Sequence, residues 1–527
     1  MKKLLLLSLF VLAVSASFAQ SAAEKREVYE QLSVFSNPLA TQLKKGVKRS
    51  AILKIKNEQI RAAALEMLHG NYDKKYRYAT YEAFLSPREL GEQLTIGDGY
   101  SKYENITGIY LPQGKHIVLA DGIEQGRKVG LIVPNWERRA PDPEKPTEDP
   151  KGWGIERQYF DLQNGVNIIE VKDFGGLAYI DYYSKDPQKE NPIKVHFLNG
   201  KANGYFDSRQ HTDADWDRLI DNAVYPILDA KGRYIQIAYP VEALKKYAYG
   251  KGTVLLNNYD SLVYRQHRIL GLEKYNQVPD NRILSRVNYN YYMFRDGDGV
   301  AYMGDKKGYA MGMVVDPASV IKGDPCWGFS HEIGHVHQVR PFLNWGGLGE
   351  VSNNIFALYG TTSFGNKSRL SEQKNYEKVR ESVYGKGKSY LQDGDVFNRL
   401  VPFWQLQLYF DGPGDNPDFY PDLFEAFRRQ AAKAQEGGRG ERGNFMARGQ
   451  NPATHQLNFI KTACEVSGVD LTEFFENYGF FYVGEFEFDD YGKYKYAMTK
   501  EMAEACKQEI AAMNLPKPTV DISLLED

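Results

Sequence analysis

Ser330-His331-Glu332-Ile333-Gly334-His335-Val336-His337-Gln338 is the stretch on which the reading of this chain turns. If it is helical, His331 and His335 stand one turn apart on one face, because positions i and i+4 are neighbours on a helix surface. Two neutral imidazoles aimed at one point are good ligands for a single zinc ion. Glu332 then sits within reach of a water at that point, which is the arrangement of a zinc-dependent hydrolase with a glutamate general base. Asp324 as N-cap and Pro325 at the first helical position predict the start of the helix. Cys326, Trp327, Phe329, Ile333 and Val336 supply its apolar packing. Gly334 is a poor helix former, and a small residue there lets another backbone come close.

Such a site needs a third protein ligand and an open position for water. Glu350 is the first acidic residue after the motif, fifteen positions beyond His335 and across Pro341 and Trp345-Gly346-Gly347. That leaves room to end one helix, reverse and begin another. If Val351 to Tyr359 is helical, Asn354 lies one turn beyond Glu350 and is placed to accept the second N–H of a ligand histidine. Asn353 is expected to point elsewhere, into packing or substrate contacts.

These residues carry a family resemblance. His331, Glu332, Gly334, His335 and Gln338, the downstream Glu350, and the run Glu350-Val351-Ser352-Asn353-Asn354 resemble the enhancin-like, mucin-degrading zinc metallopeptidase family. So do Phe403-Trp404-Gln405-Leu406 and Leu471-Thr472-Glu473-Phe474-Phe475, and the likeness extends over about residues 205 to 485. The resemblance implies a zincin-type, gluzincin-like catalytic domain and an endopeptidase that cleaves O-glycosylated, mucin-type proteins. Motif spacing alone implies only a metallohydrolase. The rival readings are a zinc peptidase for unglycosylated proteins and a surface-associated glycan-binding protein with a vestigial metal site.

The chain of 527 residues is too long for one core, so several domains are expected in a multidomain α+β protein. A net charge of −2 gives no bulk attraction to nucleic acid or anionic membrane. Residues 1–19 read as a cleaved signal peptide: Lys2 and Lys3 precede the apolar run Leu4 to Val14, and Ser17-Phe18-Ala19 provides the cleavage site. No cysteine lies near that site, so a lipid anchor is disfavoured, and no other stretch reads as transmembrane. The expectation is a secreted or periplasmic, bacterial monomer. The cysteines Cys326, Cys464 and Cys506 are odd in number, which excludes a fully paired set.

Along the chain, Ile52, Leu53, Ile55, Ile60, Ala63, Leu65 and Leu68 predict an N-terminal helical segment over residues 20–95. Short apolar runs between turn residues predict a β-sandwich-like accessory domain over 96–204. The catalytic core is expected over 205–390 and a C-terminal helical subdomain over 391–527. Before the metal helix, Gly308 to Val314 reads as a cleft-lining strand, which makes Gly308, Tyr309, Met311 and Gly312 candidate substrate contacts. Asp296-Gly297-Asp298-Gly299 reads as a hairpin turn. The loop Glu436 to Asn451, with five glycines and three arginines, is a solvated loop or a contact for anionic sugars. A tyrosine or His455 is the candidate oxyanion stabiliser.

Overall fold

The computed structural model describes residues 22–152, 154–304, 310–436 and 445–527. The signal-peptide reading of residues 1–19 therefore lies outside the described residues, as do Gly308 and Tyr309.

The N-terminal part is helical, with α1 at Glu58–Leu68 and α2 at Pro87–Leu94. Each begins on the side-chain cap its sequence offers: Asn57 Oδ1 accepts from the Gln59 and Ile60 amides, and Ser86 accepts from the Glu89 amide. Ile60 and Ala64 of α1 pack with Ile117, Leu119 and Val166 of the sandwich that follows. The stretch expected to be helical also contains a strand. Tyr78–Tyr81 (β1) pairs with Ile193–Phe197 and forms one edge of a sheet. Alternating Tyr78, Ala79, Thr80 and Tyr81 favour an extended edge once a partner strand is present.

The sandwich consists of a four-stranded and a five-stranded sheet. The first contains β1, Gly114–Asp121, Gly165–Val171 and Ile193–Phe197. The second contains Asn105–Leu111, Val129–Pro134, Arg157–Leu162, Gly176–Asp181 and Lys201–Ala202. Ile109, Val118, Leu131, Ile169, Ile180 and Val195 fill the space between them. The five-stranded sheet is also tied to the region that follows: Tyr179 Oη donates to Asp229 at 2.7 Å and accepts from Trp136 Nε1 at 3.0 Å.

The region that follows holds a six-stranded mixed sheet in the order Tyr205–Asp207, Ile227–Lys231, Ile235–Pro240, Ile283–Asn288, Gly299–Met303, Met293–Asp296. Its last two strands are β2 (Met293–Asp296) and β3 (Gly299–Met303). Ile283–Asn288 runs parallel to β3 and is buried along its whole length, as expected for a strand covered on both faces. The edge strand β2 runs antiparallel to β3. Helix α3 (Gly252–Ile269) packs behind the sheet. A short helix, α4 (Ala310–Val315), then leads to the metal helix α5 (Gly323–His337), and the chain reverses into α6 (Ser352–Thr362).

Two local expectations are corrected here. Met311 and Gly312 lie in α4 rather than in a strand, with Met311 buried in the core and Gly312 beside the Tyr247 ring. A short apolar run such as Ala310 to Val315 fits a buried helix as well as a strand, and packing decided it. The strand that does flank the metal helix is β2, whose Met293 lies against Gly328 of α5. The N-cap of α5 is Lys322, so Asp324 sits within the first turn and pairs with Arg369. There its charge still faces the positive end of the helix.

The C-terminal part contains α7 (Val396–Asp411), α8 (Phe419–Glu436), α9 (Pro452–Ser467) and α10 (Lys500–Ala512). It is not wholly helical. Gly484–Asp489 (β4) and Lys493–Met498 (β5) form an antiparallel hairpin that reaches back to the loop after α5. All three cysteines are buried and free.

Candidate functional site

The site is made by two helices and the turn between them. On α5, His331 and His335 present imidazoles whose ring centres are 4.8 Å apart. The chain then crosses Trp345 to Gly349 and places Glu350 opposite them. Glu350 Oε2 is 3.1 Å from His331 Nε2 and 3.4 Å from His335 Nε2. These three residues form a cluster suited to a metal ion.

The residues fit a metal on two grounds. Donors bound to one tetrahedral zinc at about 2.0–2.1 Å lie about 3.3 Å from one another, the spacing seen between Glu350 and each imidazole. The remaining ring nitrogens are also committed elsewhere. His331 Nδ1 donates to Asn354 Oδ1 at 2.7 Å, and His335 Nδ1 donates to Gln338 Oε1 at 3.1 Å. Those bonds leave both Nε2 lone pairs facing the same point, as outer partners of metal-ligating histidines do.

The same partners tie the two helices to the Glu350 turn. Gln338 Nε2 donates to the Gly349 carbonyl at 2.8 Å and to Ser352 Oγ at 3.0 Å. Asn354 Nδ2 donates to the Glu350 carbonyl at 2.8 Å. The close approach of α5 and α6 depends on Gly334: a Cβ there would lie 2.3 Å from the Asn353 carbonyl oxygen.

Glu332 lies on α5 between the two histidines and is 5% exposed. Burial raises its carboxyl above the ordinary value, opposed by the imidazoles of His335 and His331. Burial alone would also raise Glu350, but the imidazoles of His331 and His335 beside it hold it well below the usual carboxylate range. Arg295, on the edge strand, contributes positive charge near Glu332.

Not every residue falls where the sequence pointed. Asn353 does not turn away: its Nδ2 lies 3.1 Å from His335 Nε2 and 3.3 Å from His331 Nε2, in a fully buried position. The first turn of α6 starts at Ser352, so Asn353 and Asn354 both lean back toward α5. His337 points to the opposite side. Its Nδ1 donates to Gln266 Oε1 at 2.8 Å, and Gln266 Nε2 donates to the Ser330 carbonyl at 2.8 Å, so this pair braces the metal helix from behind. Asp296 and Asp298 are consumed by ion pairs with Arg286 and Arg157, each at 2.6 Å. His455 lines a cavity of about 970 Å³ together with Arg295 and Arg340.

Two residues in the site carry no motif. Tyr491, at the tip of the β4–β5 hairpin, donates its hydroxyl to Glu350 Oε1 at 2.5 Å. Its neighbour Asp490 accepts from the Gly347 and Gly349 amides at 2.8 and 3.2 Å. No motif or spacing in the sequence points to either residue.

A mixed sheet edged by an antiparallel strand, with paired histidines on one helix and a glutamate in the turn before the next, is the arrangement of a metal-dependent hydrolase. The sequence matches the family described as Peptidase M60, enhancin and enhancin-like over residues 200–479, a little more than half the chain. The chain belongs to that family and is a metallopeptidase. No curated protein matches it. Among solved structures, a metallopeptidase from Bacteroides thetaiotaomicron shares the fold with a TM-score of 0.78 at 23% identity, over 95% of this chain and 81% of the other. A metallopeptidase in complex with Tn antigen matches with a TM-score of 0.72 at 24% identity, over 86% and 80%. The M60 catalytic domain of Clostridium perfringens ZmpC, in complex with the sialyl T antigen, matches with a TM-score of 0.62 at 17% identity, over 85% and 82%.

Proposed function

We propose that this protein is a secreted zinc endopeptidase that hydrolyses peptide bonds in O-glycosylated, mucin-type proteins. The observation that carries the reading is the convergence of His331 Nε2, His335 Nε2 and Glu350 Oε2 beside the buried Glu332. In it, His331, His335 and Glu350 hold one zinc ion and Glu332 is the general base. A bound zinc supplies a Lewis acid for the scissile carbonyl and lowers the pKa of a water to about 7.

The chain's own residues do the rest. Asn354 and Gln338 fix the rings of His331 and His335 in the tautomer that leaves Nε2 unprotonated. Glu332 takes the proton of the attacking water and delivers it to the leaving amine. The third ligand is a glutamate just ahead of the next helix, which makes the centre gluzincin-like.

The substrate class rests on the family and on the two similar structures solved with Tn and sialyl T antigens. In the same reading, residues 1–19 are the export signal, 20–95 a mainly helical segment, 96–204 an accessory β-domain, and 391–527 a mainly helical C-terminal subdomain. Among the described residues, no helix is long and apolar enough to cross a membrane. The test is cleavage of one peptide with and without an O-linked glycan on a single threonine. Cleavage confined to the glycosylated form is expected, and equal rates on both would refute the glycoprotein specificity.

A further inference from the structure

The β4–β5 hairpin spans Gly484–Met498, beyond the 200–479 segment that matches the family. It nevertheless grips the metal-site turn at several points. The Tyr494 ring lies so close to Gly346 that a Cβ on that glycine would be 2.3 Å from the ring. Asp490 Oδ2 accepts from two backbone amides, those of Gly347 and Gly349, on the loop that carries Glu350. Arg448 Nη2 donates to the Tyr491 carbonyl at 2.8 Å and anchors the tip from outside.

Tyr491 is unusual in two respects. Its φ is +53°, in the left-handed region, where a bulky side chain costs about 1–2 kcal/mol and glycine or asparagine is the ordinary choice. Its side chain is not buried in compensation, since the residue is 60% exposed. The hydroxyl instead meets Glu350 Oε1, the carboxylate oxygen turned away from the imidazoles. A backbone outlier whose side chain ends on a metal-site carboxylate has a functional explanation ready to hand.

A glutamate can bind a metal through one oxygen or through both. If both bind, the position a water or substrate carbonyl needs is taken. A donor on Oε1 favours one-oxygen binding and keeps that position open. We propose that the hairpin tip is a positioning device for the metal centre, with Tyr491 holding Glu350 to the ion through Oε2 alone and Asp490 fixing the loop that presents it. This rests on the zinc-centre reading above. It makes Tyr491 a positioning residue that acts through Glu350.

The test uses the full chain as wild type, Tyr491→Phe, Asp490→Asn and Glu350→Ala. Zinc affinity is read by competition with a chromophoric chelator, geometry by the visible absorption of the cobalt(II) form, and folding by the Tm of the metal-free protein. For Tyr491→Phe we expect zinc affinity to fall by about 10–100-fold and the cobalt spectrum to change in shape and intensity, with the metal-free Tm unchanged. Asp490→Asn should weaken zinc in the same direction. Zinc affinity and cobalt spectrum equal to wild type in Tyr491→Phe would overturn the proposal while leaving the zinc centre standing, as would a lowered metal-free Tm with affinity intact. Wild type and Glu350→Ala binding zinc equally would overturn the zinc centre itself, and the proposal with it.

Discussion

Glu350 is approached from two sides, by the α5–α6 helix pair and by the β4–β5 hairpin, and the two are built on different kinds of sequence information. The helix pair is local. His331, His335, Gln338, Glu350 and Asn354 fall within one short segment, and their contacts follow from helical spacing plus one reversal. The hairpin is remote. Tyr491 is 141 residues from the carboxylate it holds, and nothing within the hairpin sequence names its partner. Chemistry thus sits on the rigid local unit, while the distal hairpin sets the orientation of one ligand. If so, the two regions should fail differently when altered.

The largest effect belongs to the helix pair. Glu332→Gln keeps the shape of the side chain but cannot accept the proton, so turnover should drop by about 10²–10⁴-fold with one zinc still bound. Cleavage assays alongside metal analysis check this, and wild-type turnover would remove Glu332 from its role. Asn354→Ala comes next. It leaves His331 Nδ1 without its acceptor and should weaken zinc by about 10–100-fold, as read by chelator competition. An unchanged affinity would mean that the ring is held by packing alone. The third variant, Gly334→Ala, is read on the fold rather than on a ligand. The added methyl meets the Asn353 carbonyl and forces α5 and α6 apart, costing about 1–3 kcal/mol of stability in a denaturation measurement. If it proves neutral, the close approach of the helices is not what sets the site.

The contrast also explains how much of the molecule could be read in advance. The metal helix was legible because i, i+4 histidines and a flanking glutamate need no tertiary knowledge. Glu350 was reachable as the first acidic residue after the motif, and Asn354 as one turn beyond it. Asn353 was misjudged because the angle between α5 and α6, not the helical period, decides which face of α6 meets the rings. Gly334 signalled a close approach, but not that the approaching backbone belongs to Asn353. Gly308 to Val314 reads as a strand because its apolar and small residues carry no helical period, while the true edge strand, Met293–Asp296, is only four residues long. Tyr78–Tyr81 pairs with a strand more than a hundred residues away, a contact that composition cannot indicate.

The central claim is that His331, His335 and Glu350 share one zinc ion. Anomalous diffraction collected on either side of the zinc absorption edge, from crystals of the zinc-loaded protein, tests it most directly. The expected result is a single strong peak about 2.0–2.2 Å from His331 Nε2, His335 Nε2 and Glu350 Oε2. A peak centred elsewhere, or one contacting the two histidines with Glu350 turned away, would contradict it.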